Sequence, residues 1–402
     1  MNKVGAIICE LNPFHMGHKH LLDSAKSYGI THIVGIMSAN FIQRGEPAIL
    51  SKEVRAEIAL SNGFDIILEI PSIWAMSVAE KFALAGVSIA ENLGCVDNLI
   101  FGSECGNLSI LDKISEFMLS GQANDSVKLY LNKGYSFALS TELSVKDFLG
   151  EEYAKIIQNP NNILAIEYLK ASKKLNSSIK PVTVKRIGAN HDLKYPLENI
   201  CSSSYLRKCI KEGNNNWYDY VPHGCRKIIS EQISESFVPV SLDSLDLAIL
   251  YKLRYMSKSD FSLIPDISEG LENRILKLAS SAVSLEDLIS KVSTKRYTKS
   301  RIKRIIMCAF LGILKSDQTL HLPYIKLLGS NKKGMEILKL SKKLTNLPII
   351  SRYRDYKKLD NQGQLIFQKE QRIDSVYNLM SPKILSSGYS NKKKFISGRD
   401  DL

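Results

Sequence analysis

Two histidines three residues apart, His15 and His18, are the side chains of this 402-residue sequence whose types and spacing best suit chemistry. They follow an apolar run at residues 4–8 that predicts a buried strand, and they precede leucines at helical spacing. Gly17 lets a ligand approach the backbone, and free amides at a helix N-terminus attract anions. The pattern predicts that both imidazoles face a bound phosphate at this strand-to-helix turn, the histidine turn (residues 9–20).

A metal site is the alternative interpretation of the histidine pair. Zinc normally takes three or four protein ligands, and no cysteine or acidic residue lies at helical spacing beside His15 and His18. Phosphate is therefore the favoured ligand, and no metal ligand is predicted. As candidate catalytic residues, the two histidines would stabilise charge that develops on the phosphate.

Ser203, Ser204 and Arg207 form a second group that suits phosphate chemistry. Hydroxyl groups at a helix start, with an arginine one turn later, can hold a phosphate through hydrogen bonds and charge. Serines in such a position also act as simple N-caps, which is the alternative. Because some 185 residues separate this group from His18, the fold must bring the two together.

Alternating strands and helices are the elements that must do so. Strand patterns occur at residues 4–8, 31–37, 64–70, 98–101 and 181–186, and helix patterns at residues 52–60 and 78–93 lie between them. This alternation predicts an α/β fold with a doubly wound parallel sheet. Ligands of such sheets bind beyond the carboxyl ends of the strands, which places the histidine turn, Gly102 and Arg186 on one rim.

A polar loop at residues 38–47 follows the second strand pattern. Its Gln43 and Arg44 could reach over the rim as a lid, with Lys52 and Arg55 of the next helix adding positive charge. An ordinary surface loop is the alternative.

Two asparagines precede the apolar helix pattern at residues 163–170. Asn161 or Asn162 would serve as its N-cap, because an asparagine side chain accepts hydrogen bonds from free backbone amides. A capping residue can also contact a nucleotide, and the spacing does not choose between Asn161 and Asn162.

Composition bounds the class of protein. With 44% hydrophobic residues the chain can bury a large core, and its length favours two or three domains. Its seven cysteines are scattered and never form a Cys-x-x-Cys motif, which predicts reduced thiols. No apolar run reaches the roughly 18 residues of a membrane span and no signal-peptide pattern is present, so we expect a cytoplasmic protein without a membrane partner. The oligomeric state stays open.

The formal net charge of +13 lies entirely in the second half. Residues 1–215 hold 22 basic and 22 acidic side chains. The imbalance predicts a domain for chemistry at residues 1–215 and a mainly α-helical, basic domain at residues 216–402 that binds a polyanion. The most basic segment, here the basic stretch (residues 291–304), contains seven basic residues and no acidic one.

The basic stretch leads into a helix pattern whose other face is apolar. Its cations could contact phosphates in a salt-dependent manner, and Tyr297 could stack on an unpaired base. A merely solvated face is the alternative. The candidate nucleic-acid contacts are Lys291, Lys295, Arg296, Tyr297, Lys299, Arg301, Lys303 and Arg304.

Several motifs resemble those of a known family. The run Asn12-Pro-Phe-His-x-Gly-His and the serine-rich turn before Arg207 resemble the first and last signatures of the HIGH-motif nucleotidyltransferases, although Cys201 replaces a usual aliphatic residue. Together with Gln43-Arg-Gly-Glu-Pro, Phe101-Gly-Ser-Glu, Pro160-Asn-Asn-Ile-Leu and Thr294-Lys-Arg-Tyr-Thr, the chain resembles the tRNA(Met) cytidine acetate ligase family over nearly its whole length.

The resemblance implies an ATP-dependent ligase. Such an enzyme activates acetate as acetyl-adenylate, with Mg²⁺ and ATP, and passes the acetyl group to the exocyclic amine of the wobble cytidine of elongator tRNA(Met). His15 and His18 would be catalytic, while Ser203, Ser204 and Arg207 would hold the pyrophosphate. The implied ATP contacts are Ile7, Ile8, Cys9, Glu10, Leu11, Asn12, Pro13, Phe14, His15, Met16, Gly17, His18, Lys19, His20, Gly102, Asn162, Arg186, Ser203, Ser204 and Arg207. The basic stretch would bind the tRNA.

Two other functions compete with this one. A small-molecule adenylyltransferase acting on a phosphorylated metabolite would share the first domain, but it does not explain the basic second half. A non-catalytic RNA-binding protein would explain the charge, but the intact His15, His18 and Arg207 argue against it.

Overall fold

The computed structural model describes residues 2–187, 201–268, 270–388 and 396–397. The strands are β1 Val4–Cys9, β2 His32–Ser38, β3 Phe41–Ile42, β4 Glu46–Pro47, β5 Ile66–Ile70, β6 Asn98–Ser103, β7 Lys180–Lys185, β8 Ile325–Ser330, β9 Ile349–Ile350 and β10 Ile396–Ser397.

The α-helices are α1 Met16–Ser27, α2 Lys52–Ser61, α3 Ser72–Ala75, α4 Ala79–Leu93, α5 Leu108–Leu119, α6 Gly121–Asn132, α7 Phe137–Leu149, α8 Glu151–Ile156, α9 Pro160–Lys174, α10 Ser203–Lys211, α11 His223–Ser234, α12 Asp246–Tyr255, α13 Lys258–Ser262, α14 Leu271–Ala279, α15 Leu285–Val292, α16 Lys299–Leu311, α17 Lys332–Leu344 and α18 Asn361–Asn378. Short 3-10 helices occur at Asn215–Tyr220, Leu242–Leu245, Asp317–Thr319 and Tyr353–Lys358. No helix among the residues described combines the length and apolarity that crossing a membrane requires.

The main sheet has the strand order β10-β8-β5-β2-β1-β6-β7, with β9 paired to β8. Strands β5, β2, β1, β6 and β7 are parallel to one another, which confirms the predicted doubly wound α/β fold. The chain moves outward from β1 through β2 to β5 and then returns to the other side of β1 with β6. Ligands of doubly wound sheets bind at this reversal, beyond the carboxyl ends of β1 and β6.

Both faces of the sheet are covered, because side chains alternate along each strand. In β1, Val4, Ala6 and Ile8 belong to one buried cluster, while Ile7 belongs to the other. In β5, Ile66 and Leu68 belong to the first cluster and Ile67 belongs to the second. Such two-sided burial explains why the parallel strands are continuous apolar runs rather than alternating ones.

The second half of the chain adds strands that the sequence did not reveal. Strand β8 pairs antiparallel with β5 and extends the sheet, and β9 and β10 pair with β8. The sheet therefore continues across residue 215, and the division into domains at 1–215 and 216–402 stays a prediction. Between β7 and β8 in the sequence, helices α12 to α16 contribute to an apolar core, consistent with the predicted helical character.

A group of buried charges, the ionic cluster (Lys52, Glu69, Lys326 and Asp374), joins α18 to the sheet. The Nζ atom of Lys52 lies 2.9 Å from a Glu69 carboxylate oxygen and 2.5 Å from Oδ2 of Asp374. Burial alone would lower the pKa of Lys52, but the carboxylates of Asp374 and Glu69 outweigh it and hold that pKa well above its ordinary value. Lys326 pairs with Glu69 at 3.0 Å.

The predicted role of Lys52 and Arg55 as lid charges is wrong, because both side chains are buried. Lys52 belongs to the ionic cluster, and the Arg55 guanidinium donates to the backbone carbonyls of Glu10, Ser38, Ala39 and Leu50. Arg55 therefore fixes the ends of β1 and β2 relative to each other.

Candidate active site

The histidine turn connects the end of β1 to α1, and its two histidines cap the helix reciprocally. Nδ1 of His15, the N-cap residue, accepts the Gly17 amide at 3.0 Å, and Nδ1 of His18 accepts the His15 amide at 3.2 Å. The ring centroids lie 3.9 Å apart. Because each Nδ1 accepts a hydrogen bond, the proton of each neutral ring must be on Nε2, where it can be donated.

Both imidazoles are held neutral by their surroundings. Burial, followed by the charges of Arg186 and Arg207, lowers the pKa of His15 to about 3. Burial, His15 and Arg186 likewise lower the pKa of His18 well below its ordinary value. At neutral pH the pair therefore presents two preoriented N–H donors, which suits an anionic ligand without adding buried charge.

A cavity of about 430 Å³ lies beyond the carboxyl ends of the strands, where the doubly wound fold predicts a ligand. Fifteen of the predicted ATP contacts line it, namely Ile7, Ile8, Cys9, Glu10, Leu11, Asn12, His15, Gly17, His18, His20, Gly102, Arg186, Ser203, Ser204 and Arg207. The other five, Pro13, Phe14, Met16, Lys19 and Asn162, are not among its lining residues. Phe14 is buried in the core, and Lys19 pairs with Asp23 at 2.7 Å.

The serine-rich turn and the histidine turn meet in this cavity. Ser202 is the N-cap of α10 and accepts the Tyr205 amide at 3.2 Å, so the capping alternative applies to that serine. Arg207, one turn later, donates to the Asn12 carbonyl at 2.8 Å and to Ser204 Oγ at 3.1 Å. The guanidinium thus lies between the two signature motifs.

Two buried donors in the cavity wall have no protein partner among the described residues. They are Nε of Arg186 and Nδ2 of Asn12. Buried donors normally find acceptors. Two such donors without an acceptor therefore indicate a place for a ligand rich in acceptor oxygens. Gly102 leaves room for this arrangement, because a Cβ atom there would lie 3.3 Å from Arg186 Cγ.

The N-terminus of α9 is capped differently from the prediction. Its N-cap is Asn159, with Pro160 in the first turn, and the Glu104 carboxylate accepts the amides of Asn161 and Asn162. Asn162 is fully buried, and its side chain bonds the Cys105 amide and the Ile156 carbonyl. The prediction that Asn161 or Asn162 is the N-cap is therefore wrong. Asn161 lines the cavity and Asn162 does not.

The polar loop forms a small lid, strands β3 and β4 with the turn between them. The Gln43 amide donates to Glu10 Oε1 at 2.9 Å, and Gln43 and Arg44 line the cavity. Gly45 has a φ of +73°, and a Cβ atom there would overlap the backbone of Arg304. The lid therefore packs directly on α16, the helix that contains residues 299–304 of the basic stretch.

The basic stretch contains four exposed cations and three that are partly buried. Lys291, Lys295, Arg296 and Lys299 are exposed, although Lys291 pairs with Asp287 at 2.7 Å. The other three form tertiary contacts: Lys303 with Glu46 of the lid, Arg304 with Asp266 at 3.0 Å, and Arg301 with the Asp266 carbonyl at 2.8 Å. Arg301 also lies over the Tyr297 ring, with its guanidinium carbon 5.4 Å from the ring centroid.

The apolar wall of the cavity was not predicted from the sequence. Phe82 of α4 and Tyr168 of α9 line it beside Phe101. Nothing in the local pattern distinguishes these side chains from ordinary core residues. Within the described ranges, no group of three or more His, Cys, Asp or Glu could hold a metal ion.

The family model of the HIGH nucleotidyltransferases matches residues 1–392 of this chain. A curated protein of Caldanaerobacter subterraneus subsp. tengcongensis, named tRNA(Met) cytidine acetate ligase, is 40% identical over 383 residues, covering 93% of this chain and 94% of that protein. A protein of the same name from Clostridium kluyveri is 35% identical over 398 residues, covering 95% and 96%.

Solved structures give the same likeness in three dimensions. The crystal structure of Thermotoga maritima TmcAL in its apo form has a TM-score of 0.93 at 29% identity, covering 99% of this chain and 100% of that one. A second crystal form, bound with alpha-thio ATP, has a TM-score of 0.92 at 28% identity with the same coverage.

Proposed function

This chain belongs to the HIGH nucleotidyltransferases and, among them, to the tRNA(Met) cytidine acetate ligases, and we propose how its cavity performs that reaction. It is an ATP-dependent ligase that joins acetate to a cytidine of tRNA(Met). In our proposal acetate attacks the α-phosphorus of ATP to give acetyl-adenylate and pyrophosphate. The acetyl group then passes to the exocyclic amine of the wobble cytidine of elongator tRNA(Met).

The reciprocal capping of His15 and His18 is the observation that carries this proposal. It fixes both rings so that their Nε2–H groups can donate to the α-phosphate oxygens as charge develops there. The departing pyrophosphate is held by Ser203, Ser204 and Arg207 of the serine-rich turn and by Arg186, which follows β7. Substrate positioning and charge stabilisation supply the catalysis, since phosphoryl chemistry needs little covalent help from the protein.

The cavity fits a magnesium ion that enters with its nucleotide. Glu10 is the one carboxylate among the described lining residues, so the protein offers no acidic cage. Mg²⁺ commonly keeps several waters and binds through substrate phosphates with one or two carboxylates. In our proposal the triphosphate would hold the ion, which would neutralise part of the phosphate charge.

The exposed cations Lys295, Arg296 and Lys299 are proposed to bind the tRNA backbone. A stacked anticodon base must leave its stack to enter an enclosed site, as is usual for chemistry on bases. Because the lid packs on α16, a tRNA bound along the basic stretch would deliver that base under the lid. Both ATP and tRNA are cytoplasmic substrates, so we propose that the enzyme works in the cytoplasm.

The first experiment is an acetylation assay. The purified protein is incubated with ATP, Mg²⁺, labelled acetate and unmodified elongator tRNA(Met), and the digested tRNA is examined for acetylcytidine by mass spectrometry. We expect product from the wild type, its loss in His18→Ala, and no change in His321→Ala, an exposed histidine outside the cavity. Absence of wild-type product, or acetate-independent pyrophosphate exchange that requires a phosphorylated metabolite, would contradict the proposal.

The tRNA-binding face has its own test. Each phosphate contact releases counterions, so Lys295→Ala with Lys299→Ala should weaken tRNA binding and reduce the slope of log affinity against log salt by about one to two. The matched control is Lys342→Ala with Lys343→Ala, which removes the same charge from exposed positions of α17. Equal slopes for the two double variants would refute the assignment.

A further inference from the structure

The second half of the reaction needs a group that accepts a proton. The lone pair of the cytidine exocyclic amine is delocalised into the ring, so its attack on the acetyl carbonyl is helped when a base takes a proton from nitrogen. No residue has yet been given this task. The ionisable groups that line the cavity are therefore the candidates.

Most of these groups cannot act as the base. His15 and His18 use Nδ1 to accept backbone amides, which leaves only donor N–H groups for the cavity. Burial raises the pKa of the Cys9 and Cys201 thiols to about 12 and also raises the pKa of the Tyr168 hydroxyl, so all three keep their protons. Lys185 and the arginines that line the cavity offer only N–H donors. Glu10 and His20 remain.

Glu10 is held so that one carboxylate oxygen is left for a ligand. Its backbone carbonyl accepts Arg55 Nη1 at 2.7 Å, and its Oε1 accepts the Gln43 amide at 2.9 Å. Its Oε2 accepts no hydrogen bond from the described residues, and the side chain lines the cavity directly after β1. A carboxylate whose other oxygen is held by a hydrogen bond can use this oxygen to accept a proton from a ligand.

The lid connects Glu10 to the tRNA side of the molecule. Gln43 at the start of the lid turn binds Glu10, and Glu46 at its end pairs with Lys303 of α16. A base that arrives along the basic stretch and passes under the lid therefore meets Glu10. His20 lies on α1 two residues beyond His18 and has no comparable link to the lid.

We propose that Glu10 is the catalytic base of acetyl transfer, an inference that rests on the proposed function. The amine nitrogen attacks the carbonyl carbon of acetyl-adenylate, and the new C–N bond forms as the C–O bond to the AMP phosphate breaks. The amine proton moves to Glu10 Oε2, and AMP leaves as its phosphate anion. The proton then passes to solvent, which returns the carboxylate.

The surroundings of Glu10 set the sign of its pH dependence. Burial raises the pKa of the carboxyl, against the opposing effects of the Gln43 amide and the guanidinium groups of Arg44, Arg207 and Arg55. Cys9 and Tyr168 also face it as neutral groups. Since only the carboxylate accepts a proton, the rate of transfer should rise with pH through a pKa above that of an ordinary glutamate.

Glu10→Gln tests the proposal, because an amide oxygen can still accept the Gln43 N–H while the charge is lost. Acetate-dependent ATP–pyrophosphate exchange measures the first step, and single-turnover formation of acetylcytidine measures the second. We expect transfer to slow by about 100-fold, to lose its rise with pH, and to be impaired at least tenfold more than exchange. His20→Gln is measured in parallel and should retain the rise.

Three outcomes would overturn the assignment of Glu10. They are transfer within about threefold of wild type, equal loss of exchange and transfer, and a pH rise that survives in Glu10→Gln but disappears in His20→Gln. Failure of the wild type to form acetylcytidine would instead overturn the proposed function itself, so the two failures are distinguishable. Partial recovery of transfer in Glu10→Asp, with the pH rise restored, would support a carboxylate base.

Discussion

The histidine turn and the ionic cluster are both buried polar regions near the carboxyl ends of the central strands, yet their bonding differs. In the ionic cluster, Lys52 lies between two carboxylates and is 1% exposed. In the histidine turn, each ring uses one nitrogen for the helix cap and keeps the other available. The first region satisfies its charges within the protein, and the second leaves donors for a ligand.

The comparison teaches that burial of polar groups does not by itself mark a functional site. Arg226 Nε and Tyr324 OH are also buried without a hydrogen-bond partner among the described residues, but neither residue lines the cavity. What distinguishes the cavity is that its unpaired donors, Arg186 Nε and Asn12 Nδ2, belong to residues that line a space large enough for a ligand. Lys52 and Arg55 have similar burial and charge but serve the packing of strands and helices. The following variants should separate the two kinds of region.

Lys52→Met should produce the largest loss of stability. It leaves Asp374 buried without its cation and Glu69 with Lys326 alone, which costs about 3–5 kcal/mol in free energy of unfolding. Urea denaturation measures the change. Lys146→Met, which breaks an exposed pair with Glu151, is the control and should leave the midpoint unchanged. A similar midpoint for both variants would mean that the ionic cluster contributes little.

His15→Asn should reduce activity while leaving stability nearly unchanged. Asparagine is a good N-cap and can accept the Gly17 amide, but it lacks the Nε2–H donor. Loss of one such donor typically lowers kcat by about 100- to 1,000-fold. Acetyl-adenylate formation and thermal unfolding measure the two effects. If activity and melting temperature fell together, the cap and the catalytic role would not be separable.

Glu370, which lies beside the ionic cluster, should make the free energy of unfolding fall as pH rises. Burial, and then Glu69 and Asp374, raise the pKa of Glu370 from 4.5 to about 7. A carboxyl with a raised folded-state pKa stabilises the fold below its unfolded pKa, and this contribution of about 1–3 kcal/mol is lost as pH rises through the folded value. Urea unfolding from about pH 4.5 to 8 measures it.

Glu370→Gln should remove this slope relative to wild type. The comparison between the two proteins is needed because His15, whose pKa is lowered from 6.5, contributes the opposite slope as pH falls below that value. Parallel curves for wild type and variant would show that Glu370 does not titrate in this range.

Gly45→Ala should show how tightly the lid is held on α16. Gly45 and Gly134 both have positive φ. A Cβ atom at Gly45 would overlap the backbone of Arg304, whereas one at Gly134 would have no atom within 4 Å. Gly134→Ala therefore measures the conformational cost alone, about 1 kcal/mol. We expect Gly45→Ala to cost about 1 kcal/mol more and to raise the KM for tRNA. Equal losses in free energy of unfolding for the two variants would indicate that the lid is not held tightly on α16.

The parts of the site that lie close together in sequence were predictable, and those that depend on distant pairing were not. The strand, turn and helix around His15 and His18 follow from local periodicity, and the serine-rich turn follows from capping chemistry. Strand β8, with six residues, is too short for its alternation to be distinctive. Its place beside β5 depends on contacts across some 260 residues.

The burial and the partners of individual charged residues could not be predicted from the sequence either. Lys52 has a partner in Asp374 and Lys303 has one in Glu46, and neither pair is near in sequence. A basic side chain in isolation predicts exposure and a solvated or nucleic-acid-binding role, so burial of Lys52 and Arg55 reversed the expectation. The capping of α9 by Glu104 was not predicted either, because Glu104 is far from that helix in sequence.

The antiparallel pairing of β8 with β5 also sets an order of events during translation. The ribosome releases β5 long before residues 325–330, and Asp374 emerges later still. At about 5–20 residues per second, the nascent chain carries an unpaired sheet edge for roughly 15–50 s, and Lys52 has only Glu69 as a carboxylate partner until Asp374 follows. The sheet that holds the cavity is thus completed by residues synthesised long after its central strands.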